Sequence, residues 1–176
     1  MDYIKEIRQL VGSRPIIFPG AALLILDAQD RLLLQRRRDS GSWGLISGFM
    51  DPGETLEDTA RREALEETGL IIGALSLLNV FSGPSLFWKF PNGHEVYNVT
   101  AAYITRDFEG TLRADGIEGI EVRFFELDAL PEDISPPIKP VLEYFMKKTQ
   151  FALEHNKQKQ LEAEAAKLDN AEETAV

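Results

Sequence analysis

Glu63, Glu66 and Glu67 stand at i, i+3 and i+4 in one short stretch of the chain. Residues so spaced are neighbours on one helix face, where like charges repel and weaken the helix. A purely structural helix gains nothing from them. A hard divalent cation reverses the sign of that interaction, because Mg2+ takes oxygen ligands and usually keeps some waters. Upstream, Gly48 to Glu54 forms a loop with two glycines that leads into the same segment. Loop and carboxylate-laden helix together read as a metal site. Arg36, Arg37 and Arg38 are the other group suited to chemistry. A guanidinium fork is well shaped for a phosphate. In a strand the three alternate between faces, and the plainer reading is a solvated strand end.

The elements that must position these groups follow from pattern. Thr55 suits an N-cap, and Asp58 three residues on resembles a shortened capping box. Glu54, Glu57 and Asp58 lie near the helix start, where negative charge suits the macrodipole. The helix is expected to run to about Thr68, with Gly69 as its stop. Leu56, Ala60 and Ala64 form its buried stripe, and the small alanines allow close approach to a sheet. Before it, Met1 to Val11 places Ile4, Ile7, Leu10 and Val11 at helical spacing, which predicts a short amphipathic helix. Ile16 to Leu26 predicts an extended segment whose second half, Ala21 to Leu26, is a buried strand. Asp27 to Asp30 is a turn, Arg31 to Arg37 a second strand, and Trp43 to Ile46 a short strand running into Ser47-Gly48.

After the helix, Leu70 to Phe81 reads as one strand broken only by Gly73. Leu86 to Phe90, Pro91-Asn92-Gly93 and Glu95 to Thr105 read as a hairpin, because Asn-Gly suits a type I′ turn. Tyr97, Val99, Ala101 and Tyr103 share one of its faces. Arg106 to Gly119 is expected to be a polar loop, Glu121 to Glu126 a last strand, and Leu127 to Ile138 a proline-rich connection. Pro140 to about Leu153 predicts a helix with Val141, Leu142, Phe145 and Met146 inward. The strands are not separated by regular helical crossovers. A mixed β-sheet sandwiched by helices, an α/β fold, is the reading that fits.

A chain of 176 residues fits one domain. Residues 1–150 are read as that domain, with 1–15 as an N-terminal helical strap. Residues 151–176 are a charged extension, helical or disordered. The formal net charge of −10 argues against nucleic acid or an anionic membrane as partner. A phosphorylated small molecule can still be held if metal ions bridge the two. The chain has no cysteine, which excludes disulfides, thiolate metal sites and cysteine nucleophiles and suits a reducing cytosol. No apolar run approaches the ~18 residues of a spanning helix, and Met1 to Arg14 lacks an uncharged signal-peptide core. A cytoplasmic enzyme is the expectation.

Gly48, five residues, Glu54, seven residues, Arg62-Glu63-Ala64-Leu65-Glu66-Glu67, one residue and Gly69-Leu70 resemble the signature box of the Nudix hydrolases, the MutT-like proteins. Trp43-Gly44, Phe124 to Leu127 and Leu130-Pro131 extend the likeness over roughly residues 16–150. The resemblance implies a Nudix-type α/β/α sandwich with a mixed sheet. It implies cleavage of a pyrophosphate bond in a nucleoside diphosphate linked to another moiety: a nucleotide sugar, ADP-ribose, a dinucleoside polyphosphate or a nucleoside triphosphate. It also implies one or more Mg2+ or Mn2+ ions. Carried over, Glu63, Glu66 and Glu67 are the metal-binding carboxylates, and the backbone carbonyl of Ser47, where the family commonly has glycine, is a further oxygen ligand. Arg62 orients a box glutamate, and Glu54 fixes the loop–helix geometry. The general base is Glu63 or a late-loop carboxylate, which points to Glu121 before Glu118 or Glu109.

Substrate choice lies outside the box, in Ser82–Glu95 and Arg106–Glu121. A proline that marks ADP-ribose branches is matched only one position short, by Pro84, and Phe87 stands where dinucleoside polyphosphate branches have tyrosine. Phe49, Phe87, Trp88 and Tyr97 are candidates to stack on a base. His94 is expected to be solvent-exposed and His155 inert. The N-terminal segment and the hairpin are candidate surfaces for a homodimer. A Nudix-fold ligand-binding or regulatory module without turnover is the alternative, although such relatives usually lose box carboxylates. The isomerase branch relies on a cysteine that this chain lacks.

Overall fold

The computed structural model describes residues 3–90 and 92–152. In chain order the elements are α1 (Tyr3–Val11), β1 (Ile16–Ile25), β2 (Leu32–Arg37), β3 (Trp43–Gly44), β4 (Ile46–Phe49), α2 (Leu56–Thr68), β5 (Leu70–Ile72), β6 (Ser76–Phe81), β7 (Phe87–Lys89), β8 (Glu95–Thr105), β9 (Phe108–Gly110) and β10 (Gly119–Phe125). Residues 139–152 form a further helix, α3. The chain divides into two compact units, Met1–Val141 and Leu142–Val176. The rest of the extension expected over 151–176, with His155, lies outside the described residues, as does Pro91 of the hairpin turn.

The largest sheet runs β4-β1-β8-β6, with β7 also pairing β8. β1 pairs β8 in parallel over ten register positions, Ile16 with Val96 through Ile25 with Thr105. It pairs β4 antiparallel, Gly20 with Phe49 through Leu23 with Ile46. The sheet is therefore mixed, and the α/β architecture is the one expected. A second sheet runs β10-β2-β3 and a small third one pairs β5 with β9. Alternation sends Ala21, Leu23 and Ile25 of β1 and Ala101 and Tyr103 of β8 into one core with Ala60 and Ala64 of α2. Leu33, Ile46, Leu70 and Ile72 complete it.

Several elements differ from the sequence reading, each for a long-range reason. β1 begins at Ile16, because β8 templates its whole length. Trp43 to Ile46 is not one strand: Trp43–Gly44 joins β2, and Ile46–Phe49 crosses over to β1. Leu70 to Phe81 is two strands in two sheets. The break comes from Asp107, whose carbonyl accepts from Gly73 N at 2.9 Å and whose carboxylate accepts from Ala74 N at 2.8 Å. The loop expected over Arg106–Gly119 contains β9, which pairs β5. In α1, Leu10 is 82% exposed and Arg8 is buried instead. The Arg8 guanidinium donates to the carbonyls of Arg14 at 2.8 Å and Glu95 at 2.7 Å and lies over the Phe18 ring. In α3, Val141, Leu142 and Phe145 are buried as expected and Met146 is half-buried.

Candidate active site

The helix that carries the glutamates starts and stops on its own signals. Thr55 Oγ1 accepts from Asp58 N at 3.1 Å, and the Asp58 carboxylate accepts from Thr55 N at 3.2 Å, a complete capping box. At the other end Gly69 adopts φ 73°, the left-handed conformation that glycine takes without strain, and donates to Leu65 O at 3.0 Å. These caps fix the rotation of α2. Ala60 and Ala64 then face the core while Glu63 and Glu67 turn toward the loop before the helix.

Arg62 holds that loop and the helix together. Its Nε and Nη2 donate to the two oxygens of Glu54 at 2.6 and 3.0 Å, a bidentate pair. Nη2 also reaches Phe49 O at 3.0 Å, and Nη1 reaches Glu63 Oε1 at 2.7 Å and Glu66 Oε2 at 3.2 Å. Glu54 in turn accepts from Asp51 N and Thr59 Oγ1. The Arg62 guanidinium bound to Glu54 holds that carboxyl at about 2. The role carried over for Glu54, fixing loop against helix, is compatible with these contacts.

Glu63 packs directly on Gly48: a Cβ there would lie 1.8 Å from Glu63 Oε1. Burial pushes the Glu63 carboxyl up, while Arg62 works against the rise. Glu67 is more extreme. It is 2% exposed, and burial pushes its carboxyl up to about 8. One oxygen accepts from Ser47 N at 3.3 Å, and the other has no protein partner. Glu66 has a side chain 59% exposed. The three glutamates thus share a helix face, yet among the described residues no three acidic or imidazole groups are gathered into a cluster that could enclose an ion. Arg62 occupies Glu63 and Glu66 instead. The donor set nevertheless fits a hard divalent cation. It offers only oxygen donors, and a buried carboxylate with an unpartnered oxygen needs either a proton or a cation to be tolerated.

Glu63, Arg62, Ser47 and Gly48 line one end of a cavity of about 410 Å3. Its floor is the β1–β8 surface opposite the core, with Phe18, Gly20 and Ala22 beside Asn98 and Thr100. Asn98 Nδ2 donates to Leu86 O at 2.9 Å, which fixes its amide. Of the three arginines singled out, Arg37 lines the cavity, held by a bidentate pair with Asp39 at 3.0 and 3.1 Å. Arg36 and Arg38 are exposed and donate to the carbonyls of Gly41 and Gly116.

The late-loop carboxylate that reaches this cavity is Glu118 and not Glu121. Glu121 sits opposite Arg36 in β10, after a register shift between Gly119 and Glu121, and its carboxylate lies 3.9 Å from Arg123 Nε. Glu118 is presented by a turn in which the Asp115 carboxylate accepts from the backbone N–H of Ile117, Glu118 and Gly119. The charge of Glu118 adds to the upward shifts of Glu63 and Glu67. Glu109 lies in β9.

Among the aromatic candidates, Phe49 and Trp88 line the cavity, together with Phe18 and Phe90, which pattern alone did not single out. Phe87 and Tyr97 pack on each other at 5.1 Å and are 38% and 39% exposed, outside the cavity. Asn98 and Thr100 were also missed. In a strand that alternates faces, polar residues between the core positions Ala101 and Tyr103 and the buried Val96 were the available signal. His94 is half-buried by the hairpin turn and is not among the cavity residues.

Comparison with known proteins agrees with this geometry. The family model described as NUDIX domain matches residues 17–145. An ADP-ribose pyrophosphatase of Methanocaldococcus jannaschii is 35% identical over 137 residues, which are 74% of this chain and 77% of that protein. An NAD-capped RNA hydrolase NudC of Vibrio atlanticus is 32% identical over 69% of this chain, which spans only 42% of that longer protein. Among solved structures, a MutT NUDIX hydrolase from Burkholderia pseudomallei superposes with a TM-score of 0.63 at 27% identity, covering 73% of this chain and 98% of that one.

Proposed function

We propose a function from one premise: the chain belongs to the Nudix family of pyrophosphohydrolases. Members act on nucleoside diphosphate derivatives. Our reading is that this one is a divalent-metal-dependent hydrolase that cleaves the pyrophosphate bond of a nucleoside diphosphate linked to another moiety. ADP-ribose is the first compound to test, because the Methanocaldococcus jannaschii relative is named for that substrate. The observation that carries the reading is the buried Glu67 oxygen with no protein partner, near Glu63, which lines a cavity together with several aromatic residues.

Glu63, Glu66 and Glu67, with the carbonyl of Ser47, would hold Mg2+ or Mn2+. Such an ion neutralises pyrophosphate charge and lowers the pKa of a bound water from ~15.7 towards neutrality. The chain's own residues supply the rest. Arg37 faces the same cavity with its guanidinium fixed by Asp39, a suitable clamp for a phosphate. Phe49, Trp88 and Phe90 line the cavity and would stack on a base. Glu63 and Glu118, which both line the cavity, would accept the proton of the attacking water as its oxygen bonds to phosphorus and the bridging P–O bond breaks. We propose the cytoplasm as its compartment. Among the described residues no helix is long and apolar enough to cross a membrane.

Product release would be followed for ADP-ribose, dinucleoside polyphosphates, CDP-alcohols and oxidised nucleoside triphosphates, each with Mg2+ and with EDTA. Turnover of one class that EDTA abolishes and Glu66→Gln suppresses is the expected result. No turnover of any compound, with ligand binding unchanged in Glu66→Gln, would sink the reading and favour a binding module.

A further inference from the structure

Among the described residues the buried side-chain polar atoms that lack a hydrogen-bond partner are three: Gln35 Nε2, Gln35 Oε1 and Glu67 Oε1. They belong to adjacent side chains. Gln35 offers its amide to the Glu67 carboxylate, though without reaching hydrogen-bond geometry. β2 reads Leu32-Leu33-Leu34-Gln35, and all four are fully buried. A buried amide without partners disfavours folding, and an apolar residue of the same shape would avoid that penalty. Folding alone gives no reason for a glutamine here. Strand alternation puts Leu33, Gln35 and Arg37 on one face. Leu33 enters the core against α2 and Arg37 enters the cavity, so Gln35 sits between core and site. It is also held tightly. A Cβ on Gly119 would lie 2.2 Å from Gln35 Oε1, and Gly119 is the residue after Glu118.

We propose that Gln35 is a positioning residue: its amide restrains the Glu67 carboxylate in the orientation that ligates a divalent cation, and its packing on Gly119 ties that carboxylate to the turn presenting Glu118. This rests on the reading of Glu67 as a metal ligand. It explains why the orphaned atoms are found together and why position 119 has no side chain. Residues that orient metal ligands are typically worth about 10–100-fold in affinity.

The test is calorimetric titration of the full chain with Mn2+ in the absence of substrate, comparing the parent with Gln35→Met, Gln35→Asn and Glu67→Gln, alongside thermal melting without metal. The expected result is Mn2+ affinity about 10-fold weaker in both Gln35 variants. The metal-free melting point of Gln35→Met should equal or exceed the parent's, because an unsatisfied amide has been removed. Gly119→Ala should weaken Mn2+ in the same way and add nothing to Gln35→Met. Mn2+ affinity within about two-fold of the parent in the Gln35 variants overturns the proposal, and a lowered melting point beside it marks Gln35 as structural only. Should Gln35→Met fail to fold, Gln35→Asn decides by the same criterion. If Glu67→Gln binds Mn2+ as the parent does, the ligand assignment itself fails. That outcome differs from loss in Glu67→Gln with normal binding in the Gln35 variants.

Discussion

Gly48→Ala separates the folding role of the loop from its chemical role. The new Cβ would stand 1.8 Å from Oε1 and 2.1 Å from Cδ of Glu63, far inside contact distance. Either the loop or the carboxylate must move. The loop is fixed on both sides: Gly48 pairs with Ala21 in the β4–β1 ladder, and Gly20 lies so close that a Cβ there would be 2.5 Å from Gly48 O. Glu63 presents only the free end of a flexible side chain, so it is the group that turns away. It then loses the charged hydrogen bond from Arg62 at 2.7 Å, worth about 1.5–3 kcal/mol. It also regains water, and burial is what raises its pKa. The two effects oppose each other, leaving a net destabilisation of about 1 kcal/mol. In the role proposed for Glu63 the chemistry suffers more, because misplacing a catalytic group by about 1 Å can cost on the order of 10²-fold. The assay is kcat on whichever compound of the nucleotide panel is turned over, beside the urea midpoint of the same preparation. Activity within about three-fold of the parent, well short of that loss, would refute the reasoning, since Glu63 would then work from a position that does not need Gly48. A loss of several kcal/mol of stability would refute it differently, by showing that the loop moved.

Arg62→Met leaves Glu54 and Glu63 without their shared cation and should destabilise the protein by about 2–4 kcal/mol in urea denaturation. The same pair sets an acid limb. Glu54 titrates at about 2 in the folded protein against an ordinary 4.5, so its contribution is complete above pH 4.5 and is lost as pH falls through about 2. In Arg62→Met that loss should be smaller by about 2 kcal/mol after solvent screening, and identical acid limbs in the two proteins would contradict it. Glu67 acts with the opposite sign. Its folded pKa of about 8 lies above the ordinary 4.5, so its contribution to the stability of the metal-free protein should be complete below pH 4.5 and be lost as pH rises through about 8. Glu67→Gln in EDTA should flatten that slope, and an unchanged slope would locate the titration elsewhere. Trp88→Ala should raise KM with little change in kcat, by the ~1–3 kcal/mol that base–aromatic stacking contributes; a fall in kcat alone would place the base on another wall.

The parts of the site written in consecutive residues were legible in the sequence. The capping box at Thr55, the Gly69 stop and the face shared by Glu63 and Glu67 depend on contacts within one helix, and each appears where spacing put it. What the sequence did not reveal depends on partners far along the chain. Glu118 and Glu121 differ by three positions, and the choice between them is made by Asp115 and by the register shift in β10 against Arg36–Arg37. Arg37 is distinguished from its two neighbours only by which strand face meets the cavity. The split of Leu70–Phe81 depends on Asp107, and the burial of Arg8 on the carbonyl of Glu95. Gln35 left a trace that pattern reading can use: a polar residue ending a fully buried apolar run.

The parallel pairing of β1 with β8 has a kinetic meaning. Both caps of α2 lie between Thr55 and Gly69, so that helix can start and stop on local contacts. The cavity floor cannot form locally, because Gly20 and Ala22 meet Thr100 and Ala102 only after the whole intervening chain has been looped out. Closing such a loop carries an entropic penalty that non-local strand pairing must overcome before it is rewarded, and this makes such pairing slow. On refolding from denaturant, helical signal should therefore return ahead of nucleotide binding, and the carboxylates would exist on their helix before there is a floor for a substrate to rest on.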